Sequence, residues 1–279
     1  MRPMSDAVNI DLPLITYALP QDPMAKRTMI RAIERLSGSA RLQRAYRAVS
    51  AEDWERRVVW DHALAHLDIT LRHDPNALHA VPDEGPLIII ANHPFGVVDG
   101  LALCSLAARL RAEHQALVHS ALCREERLNK YLLPIEFEPT RAAQQRSIES
   151  RRQALALLHR GGALVFFPAA AISTATPPFG RAVDWEWNPL LGRLIHMSRA
   201  TVLPVYFYGQ NSLLFQVASA INPTLRLSLV LREVRRAMGK PVEMEVGTPV
   251  PYAQMAAIKS RSELTRHLRD VTHGLARRQ

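Results

Sequence analysis

The chain has 279 residues, 48% of them hydrophobic, which allows a full core and excludes a disordered protein. Lys+Arg number 35 against 26 Asp+Glu, a formal charge of +9 that favours anionic partners such as nucleic acid, acidic headgroups or an acidic carrier protein. The sequence lacks an apolar run of membrane-spanning length, metal-ligand spacing around its two cysteines (Cys104 and Cys123), and any zinc-finger or basic-aromatic RNA-binding pattern.

Residues 1–22 read as irregular, because Pro3, Pro13 and Pro20 interrupt any long element. From about Ala25 to Leu71 the pattern is helical. Met29, Ile33 and Leu36 form one stripe, and Ser50-Ala51-Glu52-Asp53 opens a second helix carrying Trp54, Val58, Ala63, Leu67 and Ile69. Such a stripe serves core packing, while its tryptophan, with Arg56 and Arg57, also suits a helix lying on a membrane surface. Turn clusters at Asp74-Pro75-Asn76 and Pro82 to Pro86 set a boundary that divides an N-terminal helical region, 1–75, from a domain of residues 76–279. Beyond it, strands are expected at 87–91, 116–120, 163–167, 202–208, 226–231 and 242–246. Helices are expected at 100–112, 124–132, 144–160, 189–199 and 260–276, the last opened by a capping box, Ser260 to Glu263. The alternation predicts an α/β fold: a mostly parallel central sheet flanked by helices and preceded by the N-terminal helical region.

The most telling run is Ile88-Ile89-Ile90-Ala91-Asn92-His93-Pro94-Phe95-Gly96-Val97-Val98-Asp99-Gly100. It reads as a strand, a turn bearing a histidine, and an acid at the mouth of the next helix. Sites in α/β folds lie outside the carboxyl ends of strands. A histidine there can act as a general base whose tautomer is held by a nearby carboxylate. Equally, Asp99 can be the N-cap of a helix beginning near Leu101, and His93 a turn histidine bonded to a carbonyl. A second run, Gly161 to Ser173, ends a helix on glycine, forms a strand, and closes in a loop of small residues after Phe167-Pro168, where a ligand or a neighbouring backbone can come close. A third, Val202 to Ser212, is a strand ending in polar residues.

In this order and spacing, the runs resemble the PlsC-like glycerophospholipid and lysophospholipid acyltransferases. The matching positions are Asn92-His93 with Asp99, the basic residue Arg141 in Ile135 to Arg141, Phe167-Pro168, and Leu203-Pro204-Val205. The likeness runs from about residue 80 to residue 275. Five residues, Pro94 to Val98, separate His93 from Asp99 where the family usually has four. The longer form is similar to a branch that includes ornithine-lipid and hemolysin-like acyltransferases. Ala169-Ala170 stand where the family has Glu-Gly, which removes an acid associated with the acceptor and disfavours a compact glycerol phosphate.

The resemblance implies acyl transfer from a thioester, acyl-CoA or acyl carrier protein, to a lysolipid hydroxyl. His93 would be the general base and Asp99 would orient it. Asn92, Phe95, Gly96, Arg141, Phe167, Pro168, Ala169, Ala170 and Ser173 would bind substrate, with backbone N–H groups near Gly96 or in the 168–173 loop at the oxyanion. No metal, cofactor or nucleic acid is expected. Without a visible secretory signal, the chain is expected to be cytoplasmic and peripheral on the inner face of the cytoplasmic membrane, against an anionic surface. A thioester or lipid hydrolase using the same dyad, and a non-catalytic basic membrane-surface protein, are the competing readings.

Overall fold

Strand β2 (Leu87–Ala91) is buried at every position and occupies the middle of a seven-stranded sheet. A strand that packs on both faces needs apolar residues throughout rather than alternation, and Leu-Ile-Ile-Ile-Ala supplies them. The structure, a computed structural model, describes residues 23–36, 58–123, 128–135 and 141–276. The remaining strands are β1 (Thr70–Arg72), β3 (His114–His119), β4 (Leu132–Ile135), β5 (Ala163–Phe166), β6 (Thr201–Phe207) and β7 (Pro241–Val246). Their order is β1-β7-β6-β2-β5-β3-β4, and only the β6–β7 pair is antiparallel.

Successive β2 side chains enter different cores. Leu87, Ile89 and Ala91 join a cluster with α2 (Val59–His66), α3 (Val97–Leu110) and α7 (Pro223–Ala237). Ile88 and Ile90 join a second cluster with α4 (Arg141–His159), α5 (Leu190–Ser198) and α9 (Arg261–His273). The chain is therefore α/β, with helices on both faces of a mostly parallel sheet. Two further helices are α1 (Met24–Leu36), which packs on α7, and α6 (Leu213–Ile221); α8 is the single turn Tyr252–Met255. Residues on both sides of position 75 share this sheet, since β1 pairs with β7.

Several elements differ from expectation. Residues 226–231, expected as a strand, lie inside α7, because Asn222 caps that helix by accepting from Thr224 N and Pro223 sits in its first turn. The Leu-x-Leu alternation there coincides with a helical face of Leu227, Val230, Leu231 and Val234. The segment expected as a helix at 124–132 ends in β4, and its residues 124–127 lie outside the described residues. In α1 the fully buried position is Ile30, while Met29 is exposed. The cap expected at Ser50 to Asp53, with Trp54, lies outside the described residues.

Candidate active site

Three parallel strands, β2, β5 and β6, end side by side, and the turn after β2 sits between the loops that follow the other two. Asn92 fastens this turn to β6: its Nδ2 donates to Phe207 O at 2.9 Å and its Oδ1 accepts from Phe207 N at 2.7 Å. Gly96 has φ +79°, a left-handed conformation open to glycine. A side chain there would also collide with Ile172, because a Cβ would lie 2.6 Å from its Cδ1.

Helix α3 begins at Val97, earlier than the sequence suggests, so Asp99 is its third residue rather than its N-cap. The Asp99 carboxyl turns back over the turn. Its Oδ2 accepts from Phe95 N at 2.8 Å and from Gly96 N at 2.9 Å, and lies 3.2 Å from His93 Nδ1. The histidine contact is close but not aligned as a hydrogen bond. Capping and histidine pairing, alternatives in the sequence, share one oxygen. Complete burial pushes the Asp99 carboxyl above its usual range, against the opposing pull of His93 and of the Phe95 and Gly96 N–H groups.

The loop after β5 closes over this turn. Ser173 N donates to His93 O at 2.8 Å, and the Phe167 ring lies 4.1 Å from the His93 ring. Ala170 takes φ +58° in a turn closed by its N–H on Phe167 O, while Ala169 packs into the second core. The N–H groups of Gly96, Ala170 and Ser173 are thus all engaged within the protein. That removes them as ready oxyanion donors.

Asp184 was not singled out from the sequence, yet it ties the site together. It is buried and accepts from Ser173 Oγ, from His93 N at 3.1 Å and from Trp187 Nε1 at 3.0 Å. His273 Nε2, at the end of α9, lies 3.5 Å from its Oδ2. Burial raises the Asp184 pKa, but the His273, Ser173, Trp187 and His93 donors together outweigh it and hold the carboxyl below its usual range. The signal in the sequence is an acid set among aromatic residues, Asp184-Trp185-Glu186-Trp187. Trp187 is buried packing, whereas Trp185 is 54% exposed.

Two cavities meet at the turn. One, of about 690 Å³, is almost wholly apolar and runs between α2, α3, β3, β4 and α7. His93, Gly96, Phe167, Ala170 and Trp185 line it near the strand ends, and Trp60, Gly100 and Cys104 along its length. The other, of about 370 Å³, is far more polar than the first and is lined by Asn92 and Pro94, which flank His93, with Ser173, Asp184, Arg181 and His273. Arg141 opens α4, is exposed, and lines neither of these cavities. Among the described residues, no three His, Cys, Asp or Glu side chains are grouped to hold a metal ion.

A histidine backed by a buried carboxyl thus stands beside an apolar cavity at the carboxyl ends of a mostly parallel sheet, where sites of α/β proteins lie. The chain belongs to the acyltransferase family, described as "Acyltransferase", which it matches over residues 56–277. It is therefore an acyltransferase. It is 22% identical over 205 residues to a lyso-glycine lipid O-acyltransferase of Phocaeicola vulgatus, covering 71% of each chain. A protein of the same name from Bacteroides thetaiotaomicron is 22% identical over 203 residues, 70% of this chain and 72% of that one. A solved structure, the 1-acyl-sn-glycerophosphate (LPA) acyltransferase PlsC from Thermotoga maritima, aligns at 15% identity with a TM-score of 0.43, over 91% of this chain and 83% of that one.

Proposed function

We propose that the protein moves a fatty acyl group from a thioester, acyl-CoA or acyl carrier protein, to the hydroxyl of a lysolipid whose headgroup derives from an amino acid. The observation that carries this reading is the apolar cavity of about 690 Å³ with His93 in its wall and the Asp99 carboxyl 3.2 Å behind it. Its size falls within the range of small-molecule sites, and its lining suits an alkyl chain rather than a sugar or a nucleotide. The names of the two curated relatives, lyso-glycine lipid O-acyltransferases, favour an amino-acid headgroup, as does Ala169-Ala170 in place of Glu-Gly.

In the reaction, His93 takes the proton of the acceptor hydroxyl as that oxygen attacks the thioester carbonyl. The new C–O bond forms, the C–S bond breaks, and the departing thiolate recovers the proton from the imidazolium. Asp99 steadies the protonated Nδ1 side, leaving Nε2 as the base. With the Gly96 and Ser173 N–H groups engaged elsewhere, and Gly100 N donating to Gly96 O, the oxyanion is assigned to the amides of Val97 and Val98 at the start of α3. Arg141, exposed at the start of α4, is available to a phosphate of the donor.

Among the described residues, no helix is long and apolar enough to cross a membrane. A basic chain acting on lipids is read as peripheral, on the inner face of the cytoplasmic membrane. The N-terminal region up to about residue 75, which gives Val59, Trp60, Ala63 and Leu67 to the cavity wall, is its membrane-facing part. The test is thioester consumption with and without a panel of lysolipids. Acceptor-dependent release of thiol together with the diacyl product supports the reading. Equal thioester loss without acceptor would make the protein a hydrolase, and no loss with any acceptor would make it non-catalytic.

A further inference from the structure

The polar cavity of about 370 Å³ flanks His93 but has no part in the chemistry above. Its carboxyl, Asp184, is turned inward and already accepts from Ser173, Trp187 and the His93 N–H. The one permanent cation in the lining is Arg181. Its Nη2 donates to Tyr206 OH at 2.8 Å, and among the described residues no carboxylate pairs with it. A guanidinium carries five N–H donors in a planar fork, so most of this one remains open for a ligand.

The segment bearing Arg181 is held on both sides. Gln210 Oε1 accepts from Ala182 N at 2.7 Å, Gln210 Nε2 donates to Gly180 O at 3.3 Å, and Val183 pairs with Thr174. Arg181 is therefore presented to the cavity on a fastened backbone. The Asp184 carboxyl is taken up by its own donors and by His273 at 3.5 Å, so the Arg181 fork faces the cavity without it. Beside an apolar cavity, this makes a two-part surface suited to an amphiphile with an anionic head. A single fork matches a planar carboxylate in two parallel bonds. A phosphate dianion calls for more cationic groups than the lining holds.

We infer that this cavity is the acceptor headgroup subsite, that it holds the free carboxylate of an amino-acid-derived lysolipid, and that Arg181 anchors it. The assignment rests on the lysolipid acyltransferase reading, so its test separates binding from turnover. The full-length protein, its Arg181→Ala and Arg181→Lys variants, and three lipids are titrated calorimetrically: a lysolipid with a free glycine carboxylate, its primary amide, and lysophosphatidic acid. The acceptor KM is measured in parallel. The expected result is tighter binding of the carboxylate than of the amide by wild type, by about tenfold or more. Arg181→Ala should lose that preference, with the loss in acceptor KM rather than kcat, and Arg181→Lys should recover part of it. Equal affinity for carboxylate and amide, or an Arg181→Ala variant that keeps the preference, overturns the subsite. Lysophosphatidic acid binding as tightly as the carboxylate lipid overturns the carboxylate assignment. Carboxylate-selective binding without acyl transfer sinks the functional reading and leaves the anion site standing.

Discussion

Asp99 Oδ2 serves three groups at once, the Phe95 N–H, the Gly96 N–H and His93. Substitutions at His93 and at Asp99 are therefore expected to differ. His93→Ala should lower kcat by about 10³-fold or more in a protein that still folds, as steady-state assays with circular dichroism would show. Asp99→Asn keeps an oxygen for the two N–H groups but loses the charge that steadies the histidine, so activity should fall by about 10²-fold or more in a protein that still folds. Its pH dependence is distinctive. Because burial raises the Asp99 pKa, its contribution to stability is full below the ordinary 3.8 and is lost as pH rises through the folded value. The Asn variant, free of that loss, should gain on wild type across the same window in thermal melts. Asp184 has the opposite sign: its contribution is present above 3.8 and is lost as pH falls through a depressed folded value. Asp184→Ala leaves buried donors from three segments unpaired and should cost roughly 3 kcal/mol by denaturant titration.

Helix α3 both delivers Asp99 and walls the apolar cavity, with Gly100 and Cys104 one turn apart on the cavity side. A Cβ built on Gly100 meets nothing within 4 Å, so a larger residue there grows into open space. Gly100→Leu should gain helix stability of up to about 1 kcal/mol and shift donor preference toward shorter acyl chains, as competition between thioesters of graded length would reveal. An unchanged chain-length profile would remove this cavity from donor binding. The amino end of the sheet is held by a different device. Arg111 is largely buried and donates to the carbonyls of Pro82, Gly85, Leu110 and Gly161, joining the entries to β2 and β5. Arg111→Lys keeps the charge but not the fork, and should lower unfolding free energy by roughly 2 kcal/mol.

The whole chain joins a sheet buried on both faces to two cavities that open at the same strand ends, one apolar and one polar. An acyltransferase acting on a lysolipid, as proposed above, gains from sitting against the surface that holds it. With a formal charge of +9, the protein should bind vesicles containing anionic phospholipid and come off as salt rises, because exposed charge pairs are screened. Co-sedimentation across ionic strength measures this. Binding indifferent to both salt and lipid charge would point instead to apolar insertion.

Much of this was legible in the sequence, because it resides in local patterns. The uniform apolar run 87–91 implies a strand buried on both faces, and the Asn-His turn implies a site at its end. Local pattern misled where two periods coincide: Leu227, Leu229 and Leu231 alternate like a strand, but the Asn222 cap and the packing of α7 against the sheet make the segment helical. Asp184 and Arg181 lay beyond sequence reading, since their meaning depends on partners as distant as His93, Tyr206 and His273. Hydrogen bonds between segments that far apart follow from how the strands order and where the loops land. The sequence by itself determined a mostly parallel α/β fold and the histidine turn; only the tertiary structure decided which buried carboxyl holds that turn, because burial and partnership are properties of the packed chain.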